Sequence, residues 1–305
     1  MRVLFLGSPE FSKIVLSYLI ESHHEVVAVV CQMDKPSGRG NKVNPPEIKP
    51  YAIENNIPVL QFEKVNNHIE EIKSLDFDVF VTASFGQILS REFLEIKEGL
   101  NVHPSMLPKY RGSTPIQTAL LHNDTDTGIT IQKMRYEVDC GEIYAQKHFQ
   151  IQEDDDFESL SIRLAHESGK MLVEVLDKLE KGDFSRKEQR GEPSYTKMIE
   201  KKDGFLDFKN SSARDIVGQV RAYGFNPGAF FFLDGERVKV FKAKVCEDET
   251  TEIGKATIKE KRFIIKAKDK SVEILFLQPQ NGKKIDVKSF LNGYKPKSMM
   301  VSDAS

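Results

Sequence analysis

Apolar and polar positions divide the chain into three stretches. In the first, strand and helix patterns alternate. Val3 to Leu6 is a short apolar run closed by Gly7-Ser8-Pro9, and Phe11, Ile14, Val15, Tyr18 and Leu19 then recur at helical spacing. Val26 to Val30, Asp78 to Ala83 and Gly99 to His103 are further runs of strand length. This alternation predicts an α/β chain with a doubly wound, mostly parallel sheet. The first turn lacks G-x-G-x-x-G, so nothing points to a dinucleotide.

The second stretch is less regular. Gly128 to Met134 and Gly141 to Ile151 read as strands, and Phe157, Leu160, Leu164, Leu172, Val175 and Leu179 mark a long amphipathic helix ending near Gly182. Residues 183–205 are polar and charge-rich, the composition of a connecting segment. In the third stretch, Ser211 to Tyr223 reads as a helix capped by Ser211 or Ser212. Short runs follow at Ala229–Leu233, Val238–Phe241, Lys255–Ile258, Phe263–Ala267 and Val272–Leu277, separated by Gly and Asp turns, the pattern of a small β-barrel. The expected organisation is a first domain over 1–189, a linker over 190–205 and a barrel domain over 206–305.

Composition narrows this picture. Hydrophobic residues make up 39% of the 305 residues and charged residues 30%, as in a water-soluble globular protein with room for two cores. No apolar run reaches the roughly 18 residues that span a bilayer, and the Gly-Ser-Pro turn stops the N-terminal run before it resembles a leader, so no membrane is expected. Cys31, Cys140 and Cys246 are too widely spaced for a metal pattern or disulfide framework, which suits a reducing cytoplasm. Net charge is −2, but unevenly spread: residues 206–305 carry 19 Lys and Arg against 13 Asp and Glu, a net of +6, and the first 205 residues a net of −8. A basic C-terminal part is either a footprint for a polyanion or a Lys-rich solvated surface.

The densest chemistry lies in Asn101-Val102-His103-Pro104-Ser105-Met106-Leu107-Pro108-Lys109-Tyr110-Arg111-Gly112. Residues two apart in a strand share a face, so Asn101 and His103 converge at a strand's carboxyl end, where open α/β sheets bind ligands. Alternatively, both satisfy strand-end backbone groups. Asp139, before Gly141, is either turn chemistry or a carboxylate that orients and charges a histidine. Asp34 to Lys49 has no periodicity, three prolines and the basic residues Lys35, Arg39, Lys42 and Lys49, and reads as a long exposed loop suited to phosphate contact or as a solvated insertion. The remaining histidines, His23 and His24 among them, read as structural, and the Phe225–Phe232 aromatics read as core residues rather than as a base-stacking surface.

Together these residues resemble the 10-formyltetrahydrofolate-using formyltransferases. The likeness rests on Asn101-x-His103-Pro104-Ser105-Met106-Leu107-Pro108 with Asp139 downstream, and it extends along nearly the whole chain through LGSPEF, Gly38-Arg39-Gly40, Val81–Leu89 and Tyr110-Arg111-Gly112. Met106 departs from a usual Leu, a similar-sized apolar swap, and Cys140 from a usual Thr. The resemblance implies a Rossmann-like sheet followed by an OB-like barrel, and formyl transfer from 10-formyltetrahydrofolate with Asn101, His103 and Asp139 at the reaction centre and no metal. It implies a folate pocket lined by Phe85, Gly86, Gln87, Ile88, Leu89, Ser105, Met106, Leu107 and Pro108. The resemblance further implies the methionyl initiator tRNA as acceptor, contacted by Lys35, Arg39, Lys42, Lys49 and the basic barrel, and a monomeric enzyme of translation initiation. Two alternatives stand beside this: a 10-formyltetrahydrofolate hydrolase or transferase to a non-tRNA amine, and a non-catalytic RNA-binding protein.

Overall fold

The computed structural model describes residues 1–37, 42–247, 252–293 and 299–302. The chain divides into two compact units. The first comprises Met1–Pro115, Asp126–Gln150 and Ser159–Lys197; the second comprises Ile116–Thr125, Ile151–Glu158 and Met198–Ser305.

In chain order the first elements are β1 (Arg2–Gly7), α1 (Glu10–Ile20), β2 (Glu25–Cys31), β3 (Lys35–Ser37), β4 (Lys42–Asn44), α2 (Ile48–Glu54), β5 (Val59–Gln61), α3 (Ile69–Lys73), β6 (Val79–Ala83), α4 (Arg91–Leu94) and β7 (Glu98–His103). There follow α5 (Pro115–Leu121), β8 (Asp126–Lys133), β9 (Ile143–Gln150) and the 24-residue α6 (Phe157–Glu180). One seven-stranded sheet runs β5-β2-β1-β6-β7-β8-β9. Pairing is parallel from β5 to β7 and antiparallel from β7 through β9. Val3, Leu4, Phe5 and Leu6 of β1 are all fully buried. Both faces of that strand are therefore covered, which is why its sequence is a continuous apolar run rather than an alternating one.

The expected strands and the long helix are present. Two features of this unit were not legible. The arms of the 34–49 loop pair as a short hairpin, Lys35 opposite Asn44 and Pro36 opposite Val43, since main-chain pairing needs no apolar period. The sheet also changes direction at β7, because a turn and helix carry the chain to β8 on the opposite course.

The second unit holds α7 (Ala213–Tyr223), β10 (Ala229–Leu233), β11 (Glu236–Cys246), β12 (Ala256–Lys259), β13 (Arg262–Lys266), β14 (Ser271–Gln278), β15 (Ile285–Asp286), α8 (Val287–Gly293) and β16 (Val301–Ser302). Ser212 caps α7, its hydroxyl accepting from the Asp215 amide at 3.1 Å. The antiparallel order is β12-β13-β14-β11-β10-β16, with β15 on β14. An isolated antiparallel bridge between Lys255 and Met300 links the residues that precede β12 and β16, the two ends of that order. Phe231 and Phe263 stack inside at 6.4 Å. Phe225, expected in the core, is instead 49% exposed and lies beneath the Lys284 ammonium at 5.1 Å. No helix among the described residues is long and apolar enough to cross a membrane.

Candidate active site

Strand register builds the site. Asn101 on β7 lies opposite Thr82 of β6 on one side and opposite Gln132 of β8 on the other. Three polar side chains therefore stand in a row across the carboxyl end of the parallel strands. The Thr82 hydroxyl donates to Asn101 Oδ1 at 2.9 Å, which fixes the amide so that Nδ2 donates to Asp139 Oδ1 at 3.0 Å. Gln132 Nε2 donates to the same oxygen at 2.8 Å, and the Gly112 amide to Oδ2 at 2.7 Å. Asp139 sits in the left-handed region with φ 51°, a conformation that a short polar side chain tolerates. Two residues on, Gly141 is required by space: a Cβ there would lie 1.7 Å from the Lys133 carbonyl oxygen.

His103, two residues beyond Asn101 on the same face, is only 4% exposed. Its Nε2 lies 2.9 Å from the Tyr110 carbonyl oxygen. A carbonyl only accepts, so Nε2 carries the hydrogen in the neutral ring and Nδ1 holds the lone pair. Nδ1 is 3.5 Å from Asp139 Oδ2. The hydrogen bond that fixes the ring thus comes from Tyr110, while the carboxylate faces the nitrogen that is free to take a proton.

Beyond His103 the chain turns tightly. Thr130, the β8 residue opposite His103, donates to the Ser105 carbonyl at 2.7 Å and accepts from the Leu107 amide at 3.2 Å. Ser105 donates to the Lys109 carbonyl at 2.6 Å, and the Leu107–Pro108 peptide is cis. Met106 packs on Gly128 of β8, where a Cβ would stand 2.2 Å from its sulfur. On the neighbouring strand end, Phe85 and Leu89 are buried in the core, Gly86 is exposed with φ 80°, and Ile88 is 76% exposed. Gln87 accepts from the Val65 amide and donates to the Phe62 carbonyl.

Residues 1–176 match the formyl transferase family, and residues 198–295 match the formyl transferase C-terminal domain. The chain belongs to the formyl transferase family. A relative named methionyl-tRNA formyltransferase, from Sulfurihydrogenibium sp., is 41% identical over 98% of this chain and 98% of its own length. Among solved structures, the sugar 3N-formyl transferase WlaRD, crystallised with dTDP and 5-N-formyl-THF, is 20% identical with a TM-score of 0.69, covering 93% of this chain and 99% of that one. HypX from Aquifex aeolicus, in complex with tetrahydrofolic acid, is 19% identical with a TM-score of 0.68 over 97% of this chain, which spans about half (48%) of HypX. The two solved structures share the fold.

In this formyl transferase chain the segment expected to link the domains is pinned beside the Asn101–His103–Asp139 cluster. Ser194 accepts from the Tyr110 amide at 2.9 Å through its hydroxyl and from the Arg111 amide at 2.8 Å through its carbonyl. The Thr196 amide donates to the Arg111 carbonyl at 2.8 Å. Gln189 Nε2 donates to the carbonyls of Asp139 at 2.8 Å and Gly141 at 2.9 Å, and its Oε1 accepts from Arg111 at 2.7 and 3.2 Å. Thr82, Thr130, Gln132 and Gln189 were all missed from sequence. For Thr82 and Gln132 the available signal was a polar residue inside an apolar strand; for Gln189 there was none.

The basic loop is less uniform than its composition suggests. Lys49 donates to both Asp34 oxygens, at 2.9 and 2.8 Å, and to Gln61 at 2.7 Å, and these partners hold the Asp34 carboxyl below its ordinary value. Lys35 is exposed, with one bond to Gln32 at 3.2 Å. Arg39 and the Lys42 side chain lie outside the described residues.

Proposed function

We propose that this chain transfers the formyl group of 10-formyltetrahydrofolate to the α-amine of methionyl initiator tRNA. The observation that carries the chemistry is the convergence of Asn101 and His103 on one carboxylate, Asp139, at the carboxyl end of the sheet. The acceptor is supported by the printed name of the full-length relative and by the net +6 of residues 206–305.

The amine attacks the formyl carbon and its C–N bond forms as the carbonyl oxygen gains charge. Asn101 spends one N–H on Asp139; the other donates to that oxyanion, an effect worth roughly 10²–10³ in rate. The attacking nitrogen gives a proton to His103 Nδ1, and the Asp139 carboxylate stabilises the imidazolium that results. The C–N10 bond breaks as the same proton passes to N10. Such proton transfer contributes roughly 10²–10⁴-fold.

The folate lies along Phe85–Leu89 and Ser105–Pro108. Half-exposed Met106, exposed Ile88 and exposed Gly86 offer it apolar surface, while Phe85 and Leu89 support them from the core. Lys35, Arg39 and Lys42 meet the acceptor arm, with Lys49 holding the base of the loop. The enzyme acts as a cytoplasmic monomer.

Isotope-labelled formyl-folate incubated with charged initiator tRNA tests this reading. Label should appear on the methionine α-nitrogen, and His103→Ala should abolish it in a folded protein. Release of label as formate at the same rate without tRNA would favour the hydrolase instead.

A further inference from the structure

Far from the reaction centre, at the amino end of β2, His23 and His24 face the last turns of α6. Asp177 and Glu180 stand three apart on that helix and so share a face. His24 is buried, with its side chain fully covered, while His23 is 61% exposed.

One nitrogen of each imidazole is already held. His23 Nε2 lies 2.8 Å from Glu180 Oε2, and His24 Nδ1 lies 3.0 Å from the Met1 amino group, which itself pairs with Glu180. The other nitrogen of each ring is turned toward a single atom, Asp177 Oδ1, at 3.8 Å for His23 Nδ1 and 3.0 Å for His24 Nε2. Among the described residues, neither His24 Nε2 nor Asp177 Oδ1 makes a hydrogen bond, although both are buried. The two approach closely without the alignment that an N–H donor needs. A buried polar pair left this way is costly.

A cation between them removes that cost. Bonds of about 2.0–2.2 Å from zinc to imidazole nitrogen and carboxylate oxygen place neighbouring ligand atoms roughly 3.3 Å apart, and the two separations of 3.0 and 3.8 Å bracket that value. Ligating histidines ordinarily donate their second N–H to a carboxylate or another acceptor; Glu180 is that acceptor for His23, and the Met1 amino group becomes one for His24 Nδ1 once it releases a proton as the metal binds. We propose that His23, His24 and Asp177 form a binding site for a zinc-type divalent cation. Two imidazoles and one carboxylate suit Zn²⁺ over the all-oxygen preference of Mg²⁺ or Ca²⁺, leave a fourth position to water, and receive the ion through exposed His23. The sequence reading of both histidines as structural is thereby revised, and the site is independent of the formyl-transfer proposal.

The test uses the full-length protein stripped with a chelator and titrated with Zn²⁺ by calorimetry, with Co²⁺ absorption as a ligand-field readout. One equivalent should bind, and the His24 Nε2 resonance should shift in ¹⁵N NMR. Asp177→Asn, nearly isosteric, and His23→Gln, at an exposed position, should each weaken binding by about tenfold or more. Both variants should fold; if Asp177→Asn does not, His23→Gln decides alone. No one-to-one binding by the wild type, or unchanged affinity in His23→Gln, overturns the proposal.

Discussion

Gln189→Ala tests whether the segment after α6 acts on the chemistry or only on stability. The side chain donates to the Asp139 and Gly141 carbonyls and accepts twice from Arg111. Neutral hydrogen bonds contribute about 0.5–1.5 kcal/mol each and those to a charged group about 1.5–3 kcal/mol. Gln189 is half-buried, so water replaces part of what is lost, and a total near 2–3 kcal/mol is expected. The larger consequence is positional. Asp139 loses the anchor on its own backbone, and a displacement of about 1 Å at a reacting constellation costs on the order of 10²-fold. Single-turnover formyl transfer should therefore fall about 30- to 100-fold, with KM for the folate changed less than about threefold. Gln189→Glu separates the two effects. It keeps the Arg111 contact but sets a carboxylate against two carbonyl oxygens, so stability should recover in part while turnover stays low. Turnover within about threefold of wild type in the Ala variant, or full recovery in the Glu variant, would refute the positioning role.

Three further outcomes follow from the same structure. Burial works to raise the Glu98 carboxyl, but the Tyr144 hydroxyl, Lys133 and Arg186 outweigh it and hold the group below its ordinary value. That contribution is complete above the unfolded value near 4.3 and is lost as pH falls through the lower folded value, so Glu98→Gln should destabilise at pH 7 and converge with wild type in acid, read as urea midpoints against pH. Cys31 is fully buried and its thiol is pushed up to about 11; a thiol reagent at pH 8 should titrate Cys140 and Cys246 first and Cys31 only on unfolding, and a third fast thiol in the native protein would contradict this. Removing the α7 cap with Ser212→Ala should cost about 1 kcal/mol, and an unshifted denaturant midpoint for the second unit would count against that cap.

Local periodicity made the architecture legible. Val3–Leu6, Val26–Val30 and the five barrel runs announced their strands because side-chain period is a property of neighbouring residues. The common face of Asn101 and His103 followed from the two-residue repeat alone. What the tertiary structure decided depends on pairings across long separations. Asp139 reaches Asn101 over 38 residues, and Gln189 reaches Asp139 over 50. The row Thr82–Asn101–Gln132 exists only because β7 pairs parallel on one side and antiparallel on the other, in one register. The Tyr110 carbonyl fixes the His103 tautomer through main chain that carries no side-chain signature. Likewise, two adjacent histidines are an ordinary turn until α6 lays Asp177 across them, because only the folded chain determines which atoms share a few ångströms of space.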